Sequence, residues 1–176
     1  MGRKVFLWHL LGIIFAVLLG SFLHFAFQIS GNFKPVAIFA AVNESTWEHL
    51  KIAFWPAFTW GVLEYFVYGK KFVNFWLAEL TELYSIPILI VALFYGYTAF
   101  LKDNLFFDIS IFVLSIILGF LISFLILVSK RGFSKLASLM IFLLVAEILA
   151  FCLLTYFPLR NFLFLDPISL GYGLVR

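Results

Sequence analysis

Charge is what this chain has least of. Only 12% of its 176 residues are charged, while 65% are hydrophobic. A soluble domain of this length needs far more charged surface, so a water-exposed globular fold is excluded and membrane spans are indicated. Cysteine is almost absent. Cys152 stands alone inside an apolar run, which rules out an internal disulfide and leaves the redox compartment open. A basic stripe is missing too: the net charge is +3, but the cations sit in short groups between apolar runs, so nucleic acid is excluded as a partner. There is no His-Glu-x-x-His motif and no paired-cysteine spacing. No internal repeat is visible, which argues against an inverted-repeat transporter.

What the chain does contain is long apolar segments. A helix needs roughly 20 mostly apolar residues to cross a bilayer. Five stretches qualify, at 5–27, 52–69, 75–101, 106–128 and 136–157. The first follows Met1-Gly2-Arg3-Lys4 as a signal peptide would, but it is too long for a signal h-region and lacks a cleavage site, so it reads as a retained span. The expected fold is all-α: one integral membrane domain over 1–176, a polytopic bundle of five transmembrane helices in the lipid bilayer. Arg3, Lys4, Lys70, Lys71, Lys130, Arg131 and Lys135 fall on one side, close to helix ends, against the scattered Lys34, Lys51, Lys102, Arg160 and Arg176. The positive-inside rule then predicts a cytoplasmic N-terminus, an external C-terminus and a cell-membrane location. The octet Pro35–Val42 is too short to span and either lies in the interface or dips between helices. Pro158 is expected to stop the fifth helix, and the turn signals Asp166-Pro167 and Gly171-Tyr172-Gly173 predict an ordered external flap over 158–176.

The polar stretch Asn43-Glu44-Ser45-Thr46-Trp47-Glu48-His49-Leu50-Lys51 breaks this pattern. Ser45 and Glu48 have the spacing of a capping box, in which each side chain bonds the other's backbone amide, worth about 0.5–2 kcal/mol. Trp47 reads as part of an aromatic belt, and Lys51 as a cation snorkelling to water beside Glu48. Glu44 and His49 are not needed for the cap. His49 shares a helical face with Glu64, fifteen residues on, and Pro56 between them should free the carbonyl of Ile52 and kink the helix. His24, Asp103 and Asp108 lie at the same external depth. His24, Glu44, His49 and Asp108 are residue types that bind zinc or another divalent metal, and they form a candidate metal set.

Carboxylates within the spans are the other candidates, because ionisable residues in the membrane usually face the bundle. Glu64 lies roughly 9 Å along the helix from Lys70. Glu79 and Glu82 are close enough to Lys70 and Lys71 to form an interfacial charge cluster. Glu147 is near the midplane with no cation at its depth, and is expected to be neutral and hydrogen-bonded to another helix. The candidate polar site is therefore His24, Glu44, His49, Asp108, Glu64 and Glu147.

At Ala41 to Lys51, with Phe54-Trp55-Pro56 behind it, the chain resembles an uncharacterised prokaryotic family of small multi-span membrane proteins bearing an Asn-Glu-Ser-x-Trp-Glu-His-x-Lys motif. The likeness extends to Phe22-Leu23-His24-Phe25, Glu64-Tyr65 and Phe164-Leu165-Asp166-Pro167. The tail departs from the family's more polar form, reading Ile168-Ser169-Leu170-Gly171-Tyr172-Gly173. The resemblance implies a fold and a membrane location but no activity. Three functions stay open: small-solute or ion transport or handling through the external polar site; a membrane-embedded, metal-dependent enzyme acting on a lipid or lipid-linked substrate; and a structural or accessory subunit. The small number of spans favours a homo-oligomer for transport.

Overall fold

The computed structural model describes residues 2–129 and 137–174. They form five α-helices: α1 (Gly2–Ile29), α2 (Thr46–Val67), α3 (Phe75–Thr98), α4 (Leu105–Val128) and α5 (Ala137–Leu153). Three of these, α1, α3 and α4, are long and apolar enough to cross a membrane. Helices α1 to α4 close a ring in which each packs against the next and α4 returns to α1, while α5 lies against α3. Close approach of α3 and α4 depends on Gly119, where a Cβ would overlap Ile86.

The distribution of polarity is the reverse of a soluble protein's. Along α1 the outward side chains Phe6, Leu10, Ile14, Leu18, Phe22 and Phe25 are exposed. Buried inside are His9, Glu48, Lys51, Glu64, Glu79 and Glu82, around an apolar core that includes Ala16, Phe54, Ile86, Ile116 and Phe120. Apolar outside and polar inside is the pattern expected where the surrounding solvent is hydrocarbon.

Helix α2 runs through Pro56 without a break. The Ile52 carbonyl, which Pro56 leaves without its helical partner, lies against Gly20 of α1, where a Cβ would come within 2.8 Å of it. A bare backbone on α1 thus accommodates the defect on α2. The octet folds in part as a 3-10 turn over Lys34–Ile38, with Ala37 and Ala40 fully buried and Trp55 Nε1 donating to the Ile38 carbonyl at 2.8 Å. Ala37 and Ala40 pack with Ala26 and Phe27 at the end of α1, while Pro35 and Phe39 stay exposed. Of the cations used for orientation, Lys130, Arg131, Lys135 and Arg176 lie outside the described residues.

Helix α5 ends at Leu153, earlier than Pro158 requires, and continues as turns. Thr155, just past that end, is drawn inward by Glu48 and Lys51 of α2. Among the described residues the tail forms turns and no sixth helix. Leu165 and Tyr172 form an antiparallel bridge, and Leu170 and Gly173 both take positive φ, 56° and 61°, to close the turn. Asn43 Nδ2 donates to the Gly173 carbonyl at 2.8 Å and the Trp47 amide to the Leu163 carbonyl at 2.9 Å, so the tail covers the polar stretch.

Candidate functional site

The start of α2 carries two ionic groups that the helix sends in opposite directions. Ser45 occupies the N-cap position, but its side chain makes no capping hydrogen bond, and the expected capping box does not form. Glu48 is drawn elsewhere. Its carboxylate accepts from the Val42 amide at 3.1 Å, from Lys51 Nζ at 2.5 Å and from the Thr155 hydroxyl at 3.0 Å. Lys51 does not snorkel to water: it is 0% exposed and donates to Glu48, to the Ala37 carbonyl at 2.7 Å and to Thr155 Oγ1 at 2.8 Å. All three ammonium protons are thereby matched, which is the condition for keeping a buried charge. Trp47 likewise packs between Phe151 and Phe164, at 4.8 and 4.6 Å between ring centroids, rather than standing in an exposed belt.

On the other side of α2, His49 meets His24 from α1 and Glu44 from the preceding loop. The two Nε2 atoms are 3.2 Å apart, and each lies 3.5 Å from Glu44 Oε2. His49 Nδ1 is 2.9 Å from the Ser45 carbonyl. A carbonyl can only accept, so Nδ1 carries a proton, and in the neutral ring Nε2 presents its lone pair to the group. Such an outer hydrogen bond is the usual means of orienting a ligating imidazole. Asn43 Oδ1 accepts from the Ser45 amide at 2.9 Å, and this turn delivers Glu44 to the two rings. The hydrogen bond with His24 holds the Glu44 carboxyl below the usual carboxylate range despite partial burial, so it is anionic at neutral pH.

The geometry fits a metal. Zinc bound at about 2.0–2.1 Å from nitrogen and oxygen has ligand-to-ligand edges of about 3.3–3.4 Å in a tetrahedron. The three distances here, 3.2, 3.5 and 3.5 Å, approximate one face of that tetrahedron. A metal on this face would keep a fourth position for water or substrate. The side chains are 27–39% exposed, so the site is open to the surface.

Other candidates are placed elsewhere. Asp108 does not join the three: its Oδ1 accepts from the Tyr97 hydroxyl at 2.5 Å, with Asp103 2.9 Å from the same hydroxyl. Glu64 does not reach His49 either. It accepts from Trp60 Nε1 at 3.1 Å and lies 3.3 Å from His9 Nδ1, which is also 3.3 Å from the Tyr68 hydroxyl. Glu79 and Glu82 are buried rather than interfacial, and form no ion pair with Lys70 or Lys71 among the described residues. Glu147 is buried, but its Oε2 has no hydrogen-bond partner among the described residues, contrary to expectation. Tyr84, the nearby polar side chain of α3, donates instead to the Leu143 carbonyl at 3.0 Å.

Sequence reasoning missed His9, Thr155 and Tyr97. His9 had a usable signal, being an ionisable residue within a span. Thr155 and Tyr97 had none, since their roles come from partners on distant segments. No curated protein and no solved structure matches the chain. The family match is extensive, covering residues 3–174. The chain thus belongs to DUF6512, a family of unknown function.

Proposed function

We propose that this is a multi-pass cell-membrane protein that binds a divalent transition metal, zinc being the best fit, at the outer end of its helix bundle. His24, Glu44 and His49 are the ligands, and the ion is handled at that surface. The observation that carries the reading is the set of donor distances, 3.2, 3.5 and 3.5 Å, between two imidazole nitrogens and a carboxylate oxygen. Hydrogen bonds among unliganded side chains do not require all three donors to converge on one point; a shared metal does.

The ring of four helices with α5 beside it is read as five spans, with the N-terminus cytoplasmic and the metal site external. A continuous polar route through the bundle has little support. Ala53 and Ala57 lie between His49 and Glu64 on α2 and are buried with Ala16, Ile116 and Phe120. Ion handling at the external face therefore fits better than passage. Catalysis is the second reading, favoured by one observation: three protein ligands with an oriented histidine and room for a fourth group match the plan of a catalytic zinc site, where bound water is made acidic.

Element analysis of the purified protein tests the metal. About one zinc per chain is expected, lost in His49→Ala; no metal after loading wild type with zinc would defeat the reading and leave an accessory role. Topology is tested in a Cys152→Ala background with single cysteines at Asn32 and Lys71. Asn32→Cys should react with an impermeant maleimide on intact cells and Lys71→Cys should not. The reverse pattern would invert the protein.

A further inference from the structure

A cavity of about 230 Å³ lies between α2 and α3, away from the metal ligands. Rings dominate its walls, with Phe58, Tyr65 and Phe66 from α2 and Phe75 and Trp76 from α3, beside the aliphatic Val62 and Leu144. Tyr65 is central, with ring centroids of Trp76, Phe75 and Phe66 at 5.2, 5.5 and 5.5 Å. Phe66, 67% exposed, stands at the rim, so the cavity opens on the outer surface of the bundle.

One lining residue does not belong with hydrocarbon. Glu79 is only 4% exposed, and its Oε1 has no hydrogen-bond partner among the described residues. Gly61 makes room for it, because a Cβ at that position would overlap the carboxylate. Glu64 and Glu82 are buried as well, and neither forms an ion pair with Lys or Arg among the described residues. Glu79 and Glu82 therefore have no Lys, Arg or His partner among the described residues, while Glu64 has His9 at 3.3 Å.

Rings alone would suit an acyl chain, and carboxylates alone would suit a metal ion. A metal is a poor fit because the lining offers it almost no other donor, whereas magnesium or calcium takes six or more oxygens. Rings together with an unpaired carboxylate match an organic ammonium, whose charge is stabilised by ring faces and by a counter-ion in a medium of low dielectric. The same rings already attract a cation: Lys70 Nζ lies 5.5 Å from the Tyr65 centroid and 5.0 Å from that of Phe66. Since a cavity of about 150 Å³ holds benzene, this one takes roughly ten non-hydrogen atoms. We propose that the cavity between α2 and α3 is a binding site for a lipophilic organic ammonium, which enters past Phe66 and places its charge against Glu79.

Benzyltrimethylammonium and neopentylbenzene have the same shape and differ only in charge. The experiment is calorimetric titration of each into the full-length protein in nanodiscs, with empty nanodiscs subtracted. The ammonium should bind at least tenfold more tightly, and Glu79→Gln, which preserves shape, should erase that preference. Equal or tighter binding of the neutral compound would make this an acyl-chain pocket and overturn the proposal. So would no binding of either, or a preference that survives in Glu79→Gln. If Glu79→Gln fails to fold, Phe66→Leu at the exposed rim decides: the preference should fall severalfold, and an unchanged preference overturns the proposal. His49→Ala should leave the preference intact, which separates this site from the metal reading.

Discussion

Glu48 and His49 are neighbours in sequence and opposites in structure. Glu48 points into the bundle, where Lys51, Thr155 and the Val42 amide satisfy it. His49 points outward to a group in which two rings and a carboxylate crowd one another and stay partly exposed. The first group is matched internally and has nothing left to offer a ligand. The second is held in place by the Ser45 carbonyl and keeps its lone pairs for something else. Matched polar groups hold a bundle together, while converging donors of one kind, pre-oriented and open to the surface, are where a ligand gains most.

That contrast can be broken by substitution. The largest effect is expected from Lys51→Met, which strands a buried carboxylate and should cost about 3–5 kcal/mol of stability in thermal unfolding in detergent. Adding Glu48→Met should recover much of it, and a single variant as stable as wild type would show that the pair is not a clasp. Thr155→Val removes one hydroxyl from the same group and should cost about 1–3 kcal/mol. On the outer side, His24→Ala should weaken zinc binding by more than about a hundredfold, beyond what loss of an orienting partner alone does. Its unfolding temperature without metal should change little, because the ring is only partly buried. Zinc should also be released as the pH is lowered, since protons compete for the imidazole nitrogens.

The smallest effect concerns the tail that covers both groups. Burial would raise the Asp166 carboxyl, but hydrogen bonds from the Ser169 hydroxyl and from the Ile168 and Ser169 amides outweigh it and hold the group below the usual range. A depressed folded value means that the ionised form stabilises the tail. That contribution is complete above the unfolded value of about 4 and is lost as the pH falls through the lower folded one. Hydrogen exchange of the Ile168 and Ser169 amides should therefore lose protection at acid pH, and Asp166→Asn should remove that dependence. Protection unchanged across this range would leave the turn to its backbone alone.

Much of the plan was legible from the sequence. Apolar runs are a local property, so five helices and their approximate ends could be read directly, as could the turn in the tail. Of the four residues read as a candidate metal set, His24, Glu44 and His49 come together, and Asp108 turns to Tyr97. Residue type and depth suggested the set, but depth alone cannot say which side of a helix a neighbour occupies. The helix cap was misread for a related reason. Ser45 and Glu48 have the spacing of a capping box, yet Glu48 finds a charged partner in Lys51 and a hydroxyl donor in Thr155.

Composition and periodicity by themselves determined that this chain is apolar, helical and interrupted once by a polar stretch. Only the tertiary structure decided that Lys51 is buried rather than wet, that His9 faces Glu64, and that Glu79 lines a cavity among rings. The reason is that a polar side chain away from water takes whatever partner the packing supplies. For Lys51 that partner, Thr155, is 104 residues away along the chain, where no local pattern can register it.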